Sequence, residues 1–101
     1  MPLHIEIVDS LDYASPVTIT VTQTTSTAVA VANSSRKYLY IRNQSDTAMY
    51  LAVGADAEDE KGIYLAKSGG TFEMNVDNLS PELVNAICSG ASKKLLVQEA
   101  N

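Results

Sequence analysis

Tryptophan is absent from this sequence, and Phe72, Cys88 and His4 are each the sole residue of their kind. A core without Trp and with one Phe must be built from Val, Ile, Leu, Ala and Met. In a 101-residue chain, long enough for one domain, such a core is modest, and oligomerisation would be a natural supplement to it. One cysteine excludes an internal disulfide and every paired-cysteine metal or redox motif. Basic residues are scarce as well: seven Lys and Arg stand against twelve Asp and Glu, a net charge of −5. A nucleic-acid groove needs clustered cations, and the only basic doublets are Arg36-Lys37 and Lys93-Lys94, so no nucleic-acid partner is expected. No stretch approaches the roughly 18 apolar residues of a membrane span. The start, Met1-Pro-Leu-His-Ile-Glu-Ile7, lacks the basic opening and long apolar run of a secretory signal. The expectation is a soluble protein made inside the cell.

What is present is alternation with a period of two. Leu3, Ile5 and Ile7 alternate with His4 and Glu6, and Val17, Ile19 and Val21 alternate with Thr18, Thr20 and Thr22. Ala28-Val-Ala-Val-Ala32 continues with small residues against Val29 and Val31. Four further strands follow within residues 37–43, 47–53, 62–67 and 70–76. Their apolar phases are Leu39 and Ile41; Met49, Leu51 and Val53; Ile63 and Leu65; and Phe72, Met74 and Val76. Residues 84–88 and 94–98 read as a final pair. Turn-forming residues separate them at Asn33-Ser-Ser35, Asn43-Gln-Ser-Asp46, Ser68-Gly-Gly70 and Ser89-Gly-Ala-Ser92. Ser80, Pro81 and Glu82 carry the one helix-start signature, so at most one helical turn is expected near residues 80–83. Eight or nine short strands with polar turns predict an all-β, two-sheet sandwich. A jelly roll is the first choice and an immunoglobulin-like sandwich the second. Residues 1–16 read as an N-terminal strand or arm, and 17–101 as a single sandwich domain.

Candidate chemistry is sparse. His4 sits on the polar phase of a strand and has no sequence neighbour to make it a catalytic base. Cys88 follows Ile87 in an apolar run and reads as a small core hydrophobe. Asp56, Glu58, Asp59 and Glu60 form an acidic loop whose carboxylates suggest calcium. The run lacks the glycine and the spaced Asp/Asn order of an EF-hand, so a solvated hairpin loop is the plainer reading. Gly69-Gly70 leads into a strand rather than a helix and is a turn, not a phosphate loop. No catalytic residue, cofactor or metal site is assigned, and no enzyme activity is expected.

The tyrosines stand out instead. Tyr38, Tyr40, Tyr50 and Tyr64 lie out of phase with the core-forming residues of their strands. Tyrosines of this kind either pack across strands half-exposed or meet a partner, since Tyr is enriched at interface hot spots. The candidate contact residues are Tyr38, Tyr40, Tyr50 and Tyr64, with Arg42 as a polar partner and Tyr13 as the anchor of the N-terminal arm.

Three stretches together resemble a known family: Arg36-Lys-Tyr-Leu-Tyr-Ile-Arg-Asn43, Asp46-Thr-Ala-Met-Tyr-Leu-Ala-Val-Gly54 and Gly62-Ile-Tyr-Leu-Ala-Lys-Ser-Gly-Gly-Thr-Phe-Glu73. Followed by Val84-Asn-Ala-Ile-Cys88, they look like small β-sandwich virion proteins of tailed bacteriophages, over about residues 28–98. The resemblance implies a structural subunit made in the host cytoplasm and located in the virion. Within that group the chain's size suits a capsid decoration, or cement, protein. Such a protein would bind the major capsid protein or another virion protein and would form a homo-oligomer, with a trimer favoured. The alternatives are a phage tail or adaptor component, or a β-sandwich module that binds a glycan or calcium.

Overall fold

A computed structural model describes residues 11–101. The strand read at Leu3–Ile7, and His4 with it, lie outside the described residues. Eight strands follow in order: β1 (Val17–Val21), β2 (Thr27–Ala30), β3 (Tyr38–Asn43), β4 (Met49–Val53), β5 (Ile63–Leu65), β6 (Thr71–Met74), β7 (Val84–Cys88) and β8 (Lys93–Ala100). Among the described residues there is no helix, and therefore none long and apolar enough to cross a membrane.

All pairings are antiparallel, and they nest: β4 with β5, β3 with β6, β2 with β7 and β1 with β8. The chain is thus one long hairpin, with its tip at the β4–β5 loop, rolled up so that β8 also pairs β3 and β7 also pairs β4. Rolling gives two four-stranded sheets, β1-β8-β3-β6 and β2-β7-β4-β5. This is the strand order of a jelly roll, whose two Greek keys pack face to face. Four short loops, β1–β2, β3–β4, β5–β6 and β7–β8, gather at one end of the sandwich.

Alternation explains which side chains meet between the sheets. Val21, Leu39, Ile41, Met74, Leu95 and Val97 from the first sheet pack on Met49, Leu51, Leu65, Val84, Ala86 and Cys88 from the second. Leu39, Ile41, Met49, Leu51 and Leu95 are fully buried. Each such residue contributes roughly 1.5–3 kcal/mol of hydrophobic stabilisation.

Several expectations need correcting. Val76, placed in the core by its phase, is 88% exposed. β6 ends at Met74 because a turn intervenes, in which the Asn78 side-chain amide donates to the Glu73 carbonyl and its Oδ1 accepts from Asn75 N–H. Val31 is also exposed, since a register shift between Ala28 and Ala30 interrupts the β2 alternation. Val17 lies on the inward phase of β1 and is nevertheless half exposed. β5 stops short on both sides. Gly62 has a positive φ, and a Cβ there would lie 2.5 Å from the Leu51 carbonyl oxygen, so the chain turns tightly into the strand. Past Leu65 the Gly70 N–H donates back to the Ala66 carbonyl, closing the next turn.

No helical turn forms at residues 80–83. The Ser80 hydroxyl does accept from the Glu82 N–H at 3.2 Å, as a helix cap would begin. The carbonyls of Ser80, Pro81 and Glu82 are instead taken by Arg36 and by the Asn33 N–H.

Candidate contact faces

The inward phase of β3 is Leu39, Ile41 and Asn43, so Tyr38, Tyr40 and Arg42 project from the outer face of the first sheet. Tyr40 stands opposite Glu73 on β6 and Gln98 on β8, and Tyr38 stands opposite Ala100. Tyr13 reaches the same place from the other side. Residues 12–14 exchange backbone hydrogen bonds with residues 99–101, and Tyr13 forms a bridge with Ala100. The Tyr13 and Tyr38 rings then meet edge to face at 5.8 Å, with Ala100 buried in the pairing between them. Arg42 is exposed, and its guanidinium lies over the Gly69 turn. Tyr13, Tyr38, Tyr40 and Arg42 therefore share one surface.

Within this surface the Tyr38 hydroxyl donates to Glu73 Oε2 at 2.6 Å. That bond, followed by burial and the neighbouring negative charge, pushes the phenol up to about 12. The folded-state value lies above the unfolded one, so the stabilisation is fully present below pH 10 and is lost as pH rises through about 12. Ultraviolet titration of the folded protein is expected to show a tyrosine that ionises near 12, which Glu73→Gln returns toward 10. If the titration curve is the same in both proteins, the hydrogen bond does not hold the proton.

Tyr50 and Tyr64 occupy the opposite side of the molecule. Inward residues Met49 and Leu51 of β4 and Leu65 of β5 leave Tyr50 and Tyr64 on the outer face of the second sheet. The two residues pair directly in register, with rings 5.6 Å apart and tilted by 56°. Tyr64 is 59% exposed, whereas Tyr50 is half-buried and its phenol is raised by burial, then by Glu60 and Asp59.

Those carboxylates come from the acidic loop, which folds back over the second sheet. The Asn85 side-chain amide donates to the Ala55 carbonyl, the Ala57 N–H donates to Ser26 Oγ, and the Ser89 hydroxyl donates to Asp59. Ala57 is buried, and the outward-facing Asn85 and Ile87 of β7 are buried too. The loop is thus a strap fastened at three points, with its acidic side chains outward. Among the described residues no three His, Cys, Asp or Glu side chains converge where they could hold a metal ion.

Cys88 is fully buried, with its thiol against the carbonyls of Val21 and Gly90 at 3.3 and 3.0 Å. The six candidate contact residues thus form two clusters on opposite faces rather than one patch.

Two polar residues do more than the sequence pattern assigns them, Arg36 as half of a basic doublet and Asn43 as the first residue of a turn. Arg36 has a side chain with no exposed surface. Its Nε pairs with Glu99 Oε2 at 2.5 Å, Nη1 donates to the carbonyls of Ser80 and Glu82, and Nη2 donates to that of Val31. One guanidinium thereby ties the β2–β3 and β6–β7 loops to β8. Asn43, also fully buried, binds the turn at Ser45 and Thr47 and reaches across to the Leu65 carbonyl in the other sheet. Comparison with protein-family models, curated proteins and solved structures found no match to this chain.

Proposed function

We propose that this chain is a non-enzymatic structural subunit of a bacteriophage particle, a capsid decoration protein that binds the assembled shell through its sheet faces. The observation that carries this reading is the placement of five tyrosines on the two outer faces, four of them paired ring to ring and all unused by the core between the sheets. Aromatic residues on a rigid sheet offer large contact area with little conformational entropy to lose. The jelly roll is compatible with this role but does not select it, because the architecture also serves lectins and cupins. The selection comes from the resemblance of residues 36–73 and 84–88 to small virion proteins.

The mechanism is contact area rather than chemistry. A standard interface takes about 800 Å² from each partner, roughly one seventh of the 5772 Å² surface of this molecule. Symmetry-related copies on one shell would act together, since linked sites bind at high effective concentration.

Cosedimentation with phage heads lacking the protein tests the reading. Binding is expected, and one of two double variants, Tyr38→Ala with Tyr40→Ala or Tyr50→Ala with Tyr64→Ala, is expected to weaken it about 30-fold or more, the scale of an interface hot spot. A chain that ignores heads but binds tail assemblies, a glycan array or calcium would sink the decoration reading.

A further inference from the structure

Among the described residues, the core is left open along one side. β1 and β2 are edge strands of their respective sheets, and they lie on the same side of the sandwich. A cleft of about 310 Å³ runs between them, lined chiefly by Val17, Ile19, Val29, Val31 and Val97. The inward row of β1 uncovers along its length: Val21 is fully buried, Ile19 half-buried and Val17 51% exposed, while Val31 across the cleft is 69% exposed. Val17 and Ile19 stand opposite Val97 and Leu95, so their side chains are on the core side of the sheet. Core-phase aliphatic residues open to water beside an unpaired strand edge favour an extended apolar segment.

We propose that this cleft is filled by residues 3–8 of a second copy of the chain, added as a strand along the open edge. Leu3, Ile5 and Ile7 form one apolar row, with His4 and Glu6 on the other side. Alternate residues of a strand are about 6.6 Å apart, so this row has the same spacing as Val17, Ile19 and Val21.

The direction of the chain points to a neighbour. Residues 12–14 pair with residues 99–101, at the last positions of β8 and beyond. From Val17 back to Leu11 the chain therefore runs along β8 to its last residues, passing the cleft at Ala14 and Ser15. Filling that cleft in the same molecule would require a full reversal beside Leu11, whereas a neighbour can take the segment without one. The contact joins two different surfaces, so it closes as a reciprocal exchange or as a ring. It does not depend on the phage reading.

Two full-length double variants test the proposal. Ile5→Asp with Ile7→Asp disables the donated segment. Val17→Asp with Val31→Asp disables the cleft at two exposed positions, where a charge leaves the fold intact. In sedimentation velocity the wild type is expected to self-associate, and each variant alone to be monomeric with affinity weakened at least 100-fold. An equimolar mixture is expected to recover a one-to-one pair, because one partner keeps its segment and the other its cleft. A synthetic peptide of residues 1–10, titrated into the Ile5→Asp, Ile7→Asp protein, is expected to bind saturably at one site. A monomeric wild type, a variant with unchanged mass, a mixture that stays monomeric or a peptide that does not bind would each overturn the proposal.

Discussion

Arg36→Ala is expected to lower the free energy of unfolding by about 3–5 kcal/mol, the cost of removing one partner from a buried ion pair. Alanine leaves the carbonyls of Val31, Ser80 and Glu82 without their donor and leaves the Glu99 carboxylate without its counter-charge. An orphaned buried acceptor costs about 1–3 kcal/mol. Glu99 retains 24% side-chain exposure, so water relieves part of the penalty and keeps the total below the simple sum. A domain of this size has about 5–15 kcal/mol in all, and each kcal/mol lost lowers the melting temperature by about 4–8 °C. Urea denaturation measures the effect. Arg36→Lys keeps the charge but loses the planar fork that spans four acceptors, and is expected to recover only part of the loss. A fall of less than 1 kcal/mol in Arg36→Ala would mean that the clasp adds nothing the loops do not hold alone.

Asn43→Ala is the second large effect, about 2–4 kcal/mol. The Asn43 amide group donates to the carbonyls of Thr47 and Leu65 at 2.8 and 3.1 Å, and its oxygen accepts from the Ser45 N–H and hydroxyl. Alanine removes the side-chain donor of the Leu65 carbonyl, leaves the Thr47 carbonyl to the Ser45 hydroxyl alone and opens a hole at a fully buried site. Asn43→Asp has nearly the same shape and separates the causes. Burial raises the carboxyl above its unfolded value, so its neutral form is the one the fold accepts. The stability of that variant relative to wild type is then best in acid and declines as pH rises through the folded-state value. Chemical denaturation of both proteins from pH 4 to 8 reads this directly. A gap between them that does not change with pH would remove charge burial as the cause.

Much of the fold was legible because a half-buried strand writes its faces into alternate residues. β3, β4 and β7 lie almost where their apolar phases put them, and the turns fall at Asn, Ser and Gly. What alternation does not carry is which strand lies beside which. The separation of Tyr38 and Tyr40 from Tyr50 and Tyr64 by the thickness of the sandwich follows from strand order alone. Val76 was misplaced because a turn built from Asn75 and Asn78 overrides a pattern that looks unbroken on paper. Nothing in the sequence marked Arg36 as buried. Three of its four partners are backbone carbonyls, which every residue has, and the fourth is 63 positions away. Ile87 did leave a trace. It makes residues 84–88 apolar on both phases save for Asn85, as suits a strand covered on one side by the core and on the other by the acidic strap.

The nested pairing of the strands also sets when the fold can form. Val17 meets Val97, its partner in the sheet, 80 positions later in the chain. During synthesis, β1 and β2 emerge early and wait with open edges until β7 and β8 follow, at about 5–20 residues per second. Only β4 and β5 are near neighbours in sequence, so the tip of the hairpin is the natural nucleus, and closure proceeds outward from it. Topologies dominated by such distant pairings fold in milliseconds to seconds rather than microseconds. For several seconds on the ribosome the valines of β1 and β2 have no sheet to cover them, which makes this early half of the chain the part that most needs protection from aggregation.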